Sequence, residues 1–509
     1  MRVGIDLGTT YSLVAEMDVE GRPRLIPDAG DPELVHTPSA VHVAQGNAFV
    51  GTLAEALLEN DPSVAVIRFF KRQFGSKEPV FYDEKGQAWL PESIAALVLR
   101  KLVFDAESAS PERVESAVVT VPAHFNDPQR KAVLNAAALA KLPVLGLVEE
   151  PVAAALHYGV QEGAADRVVL VYDFGGGTFD ATALSMDAAG VYVLAKTGLT
   201  ELGGKEIDEK IGEMILAQFE RALGRPPATG ARTLLELRRV SEELKIELCL
   251  PGKKAVRRLV LLGGQAVEVE ITASRFEAAI CDLVEQTEAE TLRCVREAGL
   301  QPGDVHHVLL VGGSSLVPLV ESRLRQVFGG PGQSVLYHEP SKAVAYGAAL
   351  HAAQLSGDAS RFQIPPELRG VSGYNVGIRT IDSALGRVSV DTLIKKNMPL
   401  PVKVRKTYYT SRAGQERIVL DFVQYRDASE KLTGLGHLVV GPLASSRSNY
   451  PVEVTTEYRV DGTVAVEAYD AQSGVELAAV FGGDAEGGAS SLAVQKALVD
   501  STVINNVIS

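Results

Sequence analysis

The sequence predicts an α/β region followed by a separate, mostly β domain. Residues 1–355 alternate short apolar runs with helix-like stretches, residues 357–373 are rich in Gly, Pro and polar residues, and beyond them the hydrophobic period becomes two. Alternation of strand and helix places helices on both faces of a sheet. A period of two marks half-buried strands, and the Gly/Pro-rich stretch between the regions reads as a linker.

In the first region, Ala117–Val121 and Val168–Tyr172 are apolar runs bounded by Gly, Pro or Asp, the pattern of buried strands. Asn126-Asp127-Pro128 sets a capping side chain before a proline suited to a first helical turn, and the Ala/Leu-rich stretch after it runs on to Leu142. Leu237, Val240, Leu244 and Leu248 recur at helical spacing. The divisions expected are 1–356, a linker 357–373, a β domain 374–480, and a glycine-rich segment with a short helical tail at 481–509. In the β domain, Arg417–Val423 and Val452–Tyr458 read as strands, and Asp461-Gly462 between alternating residues predicts a type I′ hairpin turn.

Composition narrows the function. The 509 residues are 46% hydrophobic and 22% charged, as in soluble globular proteins. A net charge of −14 argues against a nucleic-acid or anionic-membrane surface, either of which needs a basic patch. Cys249, Cys281 and Cys294 form no CxxC pair, which fits a reducing compartment without disulfides or a cysteine zinc site. Asp6 interrupts the place where a signal peptide needs apolar residues, and no run of about 18 apolar residues occurs, so a cytoplasmic location without membrane contact is expected.

The chemistry lies in an internal repeat. Val3-Gly4-Ile5-Asp6-Leu7-Gly8-Thr9-Thr10-Tyr11 and Val171-Tyr172-Asp173-Phe174-Gly175-Gly176-Gly177-Thr178 are each an apolar strand ending in Asp-x-Gly, then small residues and threonine. Glycines let backbone N–H groups approach phosphate oxygens, and successive N–H donors form an anion-binding concavity. An aspartate at each strand end suits a hydrated Mg²⁺. Two such loops facing each other would grip a triphosphate; the alternative is two tight hairpins with no ligand. GxxxxGK[ST], HExxH and GxSxG motifs do not occur.

From residue 2 to about 480 the chain resembles the 70-kDa heat-shock chaperone family, the DnaK-like proteins. The matching stretches are GIDLGTTYS (4–12), FKRQFG (70–75), VTVPAHFNDPQR (119–130), VEEPVAAALHYG (148–159), VYDFGGGTFD (171–180), LGGKEID (202–208), LLVGGSSLVP (309–318) and AVAYGAAL (343–350). The resemblance implies an actin-like ATPase of two lobes, built on ribonuclease H-like repeats, followed by a β-sandwich that binds extended peptide. It implies ATP or ADP with Mg²⁺, and K⁺ as a further ion. Gly8, Thr9, Thr10 and Tyr11 would hold the triphosphate from one lobe; Gly175, Gly176, Gly177, Thr178, Gly203 and Gly204 would hold it from the other. Asp6 and Asp173 would hold Mg²⁺ through water, Lys71 and Glu150 would position the attacking water, and Asp180 would complete the acidic set. Glu242 and Lys245 match the ribose contacts, and Gly312, Gly313 and Ser314 belong to the base-side motif. Pro122 and Arg130 match a proline switch and an arginine relay. The tyrosine between them is here His124, which is either a relay or a packed side chain.

Several departures matter. Two arginines that flank adenine in the family are Ile246 and Leu316 here, a serine is Cys249, and the aspartate before AVAYGAA is Ser341. A base held by apolar side chains and looser ATP binding are therefore expected, since each lost cationic partner is worth roughly 0.5–2 kcal/mol. The linker, Phe362-Gln363-Ile364-Pro365-Pro366-Glu367-Leu368, has fewer apolar residues than the family's, so weaker or differently wired coupling is expected. By resemblance Val390, Tyr408, Ser411, Ile418 and Leu420 would contact peptide, unless they are ordinary sandwich core. The tail reads as a remnant of the family's helical lid, which implies fast peptide release. Unfolded peptides, a J-domain co-chaperone and a nucleotide exchange factor are the implied partners. A nucleotide-switched adaptor for one dedicated partner, or another actin-like ATPase, are the competing readings.

Overall fold

A computed structural model describes the chain except for residues 62, 163–165, 228–229, 359–363, 366, 382–387, 428–431, 444–446, 473–475, 477–478, 483–487 and 506–509. Phe362, Gln363 and Pro366 of the expected linker, residues 483–487 of the glycine-rich stretch and the end of the tail lie outside the described residues.

β1 (Arg2–Asp6) turns at residues 7–10 and returns antiparallel as β2 (Tyr11–Met17), with Asp6 opposite Leu13. β3 (Pro23–Leu25) and β4 (Thr37–Pro38) extend that edge, and β5 (Val41–Ala44) with β6 (Asn47–Val50) forms a hairpin before α1 (Thr52–Asn60). The small hairpin β7 (Phe81–Tyr82) and β8 (Ala88–Trp89) precedes α2 (Pro91–Ala109). β9 (Ser116–Val121), α3 (Asp127–Leu139), β10 (Val144–Glu149) and α4 (Glu150–Glu162) complete the first lobe. Asn126 caps α3: its side chain accepts from the Gln129 N–H at 3.1 Å, and the Gln129 side chain accepts from the Asn126 N–H at 3.0 Å.

The second lobe repeats the plan. β11 (Arg167–Phe174) and β12 (Phe179–Met186) are antiparallel, with Asp173 opposite Asp180, and β13 (Gly190–Leu199) follows. Then come α5 (Gly204–Leu223), α6 (Ala231–Leu248), the hairpin β14 (Ala255–Leu262) and β15 (Gln265–Thr272), and α7 (Ala273–Glu297). β16 (His307–Val311), α8 (Pro318–Phe328), β17 (Ser334–Tyr337) and α9 (Ala343–Leu355) close the lobe. The sheets run β10-β9-β1-β2-β3 and β17-β16-β11-β12-β13, the same order, so the sequence repeat is a repeat of topology. Asp6 and Asp173 end equivalent strands.

α4 and α9 pack on each other between the lobes and share a core with Val169, Val171 and Leu309. Their contact needs a missing side chain, because a Cβ on Gly347 would lie 1.8 Å from the Ala153 carbonyl oxygen. α9 also presses on β1, where a Cβ on Gly4 would lie 2.1 Å from the Ala349 nitrogen.

After the second lobe, β18 (Glu367–Arg369) pairs in parallel with Gly190–Tyr192 of β13, and Ile364 and Val371 beside it are buried. The linker is thus tied to a sheet edge despite its prolines. β19 (Asn375–Ile381), β20 (Val388–Ile394), β21 (Val402–Tyr409), β22 (Ile418–Tyr425), β23 (Thr433–Val440), β24 (Pro451–Tyr458), β25 (Val464–Asp470) and β26 (Ala479–Gly482) form two sheets. Their orders are β20-β19-β22-β23-β26 and β21-β24-β25, and they share one core around Phe422, Leu438, Val452 and Tyr458.

One expectation is corrected. The Asp461-Gly462 turn is not type I′: Gly462 has a φ of 76°, whereas Asp461 is absent from the positive-φ residues. The Asp461 carboxylate instead accepts from the Thr463 N–H at 2.9 Å and its hydroxyl at 2.7 Å. The tail, expected as a short helix, seats on the first lobe. α10 (Gly488–Ser501) packs on α2 and α3, and β27 (Val503–Asn505) pairs with β6, because Leu498 and Val499 find their apolar partners in the first-lobe core. Among the described residues no helix is long and apolar enough to cross a membrane.

Gly347→Ala is expected to cost about 3 kcal/mol or more by forcing α4 and α9 apart. Urea denaturation should show a lowered midpoint, and an unchanged midpoint would mean that the helix pair yields without loss.

Candidate functional site

A cleft of about 430 Å³ opens between the lobes. Asp6, Gly8, Thr9, Thr10, Tyr11, Lys71 and Glu150 line it from the first lobe. Asp173, Gly175, Gly176, Thr178, Gly204, Glu242, Lys245, Ile246, Gly312, Gly313, Ser314 and Leu316 line it from the second. The two glycine–threonine hairpins therefore face one another. A Cβ on Gly176 would lie 2.2 Å from Thr10 Oγ1, and one on Gly203 would lie 2.4 Å from the Gly177 nitrogen, so side chains there would fill the space between the loops.

Gly177, Gly203, Asp180 and Cys249 lie behind the surface of the cleft. Gly177 packs under Thr9, Gly203 supports Gly177, and Cys249 is partly buried against the second-lobe core. Asp180 is buried beneath Asp173 and is held by His124, whose backbone N–H donates to it at 3.1 Å. The His124 Nδ1 lies 2.9 and 3.0 Å from the two Asp180 oxygens.

Charge dominates the floor of the cleft. Asp6, Glu150, Asp173 and Asp180 converge near one lysine, Lys71, whose Nζ donates to Glu150 at 2.5 Å. Burial and the neighbouring Glu150 push Asp6 up to about 7, against the pull of Lys71 and a 2.9 Å bond from Thr120. Burial pushes Asp173 well above the carboxylate range, and Glu150, Asp180 and Asp6 add to the effect. Carboxylates in excess over their cation, beside loops of small residues, fit a hydrated divalent ion with an anionic ligand.

At the other end of the cleft Ile246 and Leu316 are half-exposed. Lys245 pairs with Asp208 at 2.8 Å, and burial raises Asp208 to about 6 even so.

The sequence reasoning missed two contacts that cross the cleft. Arg72 donates to both Glu206 oxygens at 2.9 Å and to the Gly177 carbonyl at 2.6 Å, tying the first lobe to α5 and the second loop. The Arg238 guanidinium lies 4.1 Å from the Phe69 ring centroid, tying α6 to the same segment. Arg72 stands next to Lys71 in the FKRQFG stretch, so its neighbour was the available signal.

A second cluster joins the lobes to the β domain. Arg130 donates to Glu149 at 2.6 Å, to the Phe125 carbonyl at 3.0 Å and to the Asp461 carbonyl of the β-domain hairpin at 3.0 Å. Burial alone would raise Glu149, but Lys196 and Arg130 outweigh it and hold it below its usual range. Asp127 accepts from the Val464 N–H at 2.7 Å. The Tyr374 hydroxyl donates to the His124 carbonyl, so His124 touches Asp180 through its ring and the β domain through its backbone. Pro122 is buried in the same segment and accepts from the Phe125 N–H at 3.1 Å.

In the β domain, Ile418 and Leu420 are buried in the shared core, Val390 and Tyr408 are partly buried, and Ser411 is exposed. The Tyr408 hydroxyl donates to Asp391 at 3.2 Å.

The Asp6 shift carries a pH prediction. Below pH about 4 Asp6 is protonated in both folded and unfolded chains, whereas between about 4 and 7 only the unfolded chain releases the proton, so its burial costs stability as pH rises. Asp6→Asn should therefore stabilise the ligand-free protein by a few kcal/mol at pH 8 and by little at pH 4, as thermal melts across that range would read. A gain independent of pH would contradict this assignment.

A family model described as Hsp70 protein matches residues 2–502. The chaperone protein DnaK of Thermotoga neapolitana is 34% identical over 490 residues, covering 94% of this chain and 80% of the relative. That of Thermotoga maritima matches to the same extent, and that of Thermosipho africanus is 33% identical over 493 residues with the same coverage.

Proposed function

This chain belongs to the Hsp70 family, and on that premise we propose that it is an ATP-hydrolysing molecular chaperone whose nucleotide state governs binding and release of extended peptide. The observation that carries the reading is the pair of glycine–threonine hairpins facing each other over buried carboxylates. The lobes act as an actin-like ATPase and the two-sheet domain as a β-sandwich for peptide. Neither the family match nor the relatives favour a dedicated adaptor.

In this mechanism the backbone N–H groups and hydroxyls of Gly8–Tyr11 and Gly175–Thr178 hold the triphosphate from both sides, with Gly203 and Gly204 behind. Asp6 and Asp173 would hold Mg²⁺, which would neutralise charge on the phosphate oxygens. Lys71, fixed by Glu150, positions the attacking water, and the Thr178 hydroxyl and Asp180 complete the set. Glu242 and Lys245 take the ribose. A base lying over Ile246 and Leu316 would cover apolar surface that is now half in water.

Coupling to the β domain runs through Arg130, His124 and Pro122, since these residues meet both the lobes and the β domain or flank those that do. Peptide engages main-chain groups near Val390, Tyr408 and Ser411, with Ile418 and Leu420 as the apolar floor. A J-domain co-chaperone, an exchange factor and a cytoplasmic location accompany this reading.

Lys71→Ala should lower ATP turnover by about 100-fold or more while leaving nucleotide binding within a few-fold. An apolar peptide should stimulate the parent protein and not the variant. Unchanged turnover in Lys71→Ala would remove Lys71 from the mechanism, and no response of the parent protein to peptide would remove the coupling. Arg130→Ala should retain basal turnover within a few-fold yet lose peptide stimulation, and stimulation at the parent level would place the coupling elsewhere.

A further inference from the structure

The cleft has one end built for charge and one end that is not. The hairpins at Gly8–Tyr11 and Gly175–Thr178 face each other over the acidic floor, which fixes where a triphosphate must sit. The other end, where the base of a bound nucleotide must then lie, is lined by Ile246, Leu316, Gly312, Gly313, Pro340 and Ser341. Ile246 is 58% exposed and Leu316 46%, so each offers an aliphatic face to water at the mouth of the cleft. Any flat aromatic ring covers such a face favourably. An aliphatic side chain has no donor or acceptor with which to tell one base edge from another.

Polar groups around this end are engaged within the protein. The Ser314 hydroxyl donates to the Gly175 carbonyl at 2.8 Å, and the Ser315 hydroxyl donates to the Gly312 carbonyl at 2.6 Å. The Gly312 N–H donates to the Pro340 carbonyl at 2.8 Å, and Pro340 has no N–H to offer. At the end of α6 the carbonyls of Lys245 and Ile246 accept from the Cys249 N–H at 3.1 and 3.2 Å. Cys249 and Ser341 add little discrimination. Burial pushes the Cys249 thiol up to about 11, so it stays neutral and is a weak donor. The exposed Ser341 hydroxyl turns to suit its partner, donating to a carbonyl or accepting from an amino group, so it serves the 6-position of guanine and of adenine alike.

We propose that the cleft takes purine nucleoside triphosphates as a class, holding guanine and hypoxanthine as well as adenine against Ile246 and Leu316, and that this chain hydrolyses GTP and ITP beside ATP. The step is the same for each: water adds to the γ-phosphorus, the bond to the β–γ bridging oxygen breaks, and the nucleoside diphosphate, phosphate and one proton are released. A site that hydrogen-bonds the polar edge of its substrate rejects an analogue by about 10⁴–10⁵, because the site's own groups are left unpaired, whereas an apolar pocket separates analogues by only about 10–200-fold. A base lying against side chains that are half in water keeps its edge hydrated, so the 2-amino group of guanine is not buried without a partner. The single ring of a pyrimidine covers less of the two aliphatic faces, so UTP binds less well. This presupposes the ATPase reading and concerns only which bases that ATPase accepts.

The test is steady-state hydrolysis of ATP, GTP, ITP and UTP by the purified full-length protein with Mg²⁺, beside Lys71→Ala as a control for contaminating hydrolases. The kcat/KM values for GTP and ITP should lie within about 100-fold of that for ATP, the value for UTP should fall below all three, and Lys71→Ala should lower every one of them. Ile246→Ala and Leu316→Ala, both at exposed positions, should raise KM for ATP and for GTP by factors that agree within about three-fold, since the cover they remove does not distinguish the bases. A gap between ATP and GTP wider than this would overturn the proposal and leave the ATPase reading standing. So would GTP turnover that Lys71→Ala leaves unchanged, or UTP turnover equal to that of the purines. Absence of turnover with every triphosphate would instead remove the ATPase reading, and equilibrium binding of ADP, GDP and UDP then decides for the base end. Dissociation constants for ADP and GDP within about 100-fold of each other, with UDP weaker, would uphold it. Binding of ADP without GDP, or of none of the three, would refute it.

Discussion

Two strands, β1 and β11, deliver Asp6 and Asp173 to the floor of one cleft, where Glu150 also lies and Lys71 pulls against the burial of both. Buried carboxylates in such excess repel one another, which is why burial and neighbouring charge push Asp6 and Asp173 upward. The lobes can hold these groups together because their position is fixed by backbone pairing rather than by side-chain attraction. A cation and an anionic ligand entering together would relieve that repulsion.

A short chain of contacts runs from the cleft floor to the β domain. Asp180 is bound by the backbone and ring of His124, and the carbonyl of the same histidine receives the Tyr374 hydroxyl. In parallel, Glu149 at the end of β10 is shared by Lys196 and Arg130, and Arg130 continues to the Asp461 turn. A movement of the second-lobe hairpin would thus be felt at the β-domain contact without passing through the linker. The linker itself adds β18 to the second-lobe sheet, so its low apolar content does not leave it detached.

Much of this was legible in the chain. The Asp-x-Gly hairpins were readable because the same strand, glycine and threonine pattern occurs twice, and their placement in one cleft accompanies the equal strand order of the two sheets. The α3 cap was readable because Asn126 and Gln129 act within one turn. What escaped was non-local. The pairing of Arg72 with Glu206 spans 134 positions, and nothing local distinguishes either residue from a solvated charge. The Asp461-Gly462 turn was misassigned because the Asp461 carboxylate takes the Thr463 N–H and hydroxyl, a local arrangement that competes with a type I′ turn, and its carbonyl meets Arg130, 331 positions away. The seat of the tail was not legible because Leu498 and Val499 pattern as any short amphipathic helix would, and their partners lie some 400 positions upstream, as the 402 separating Ser93 from Gln495 illustrates.

The central claim is that facing hairpins clasp a metal-bound triphosphate. A crystal structure with Mg²⁺ and a non-hydrolysable ATP analogue tests it most directly. The account predicts phosphate oxygens in hydrogen-bond reach of the amides of Thr9–Tyr11 and of Gly175–Gly177 at once, with the ion's waters on Asp6 and Asp173. A triphosphate held by one hairpin alone, or bound outside the cleft, would contradict it.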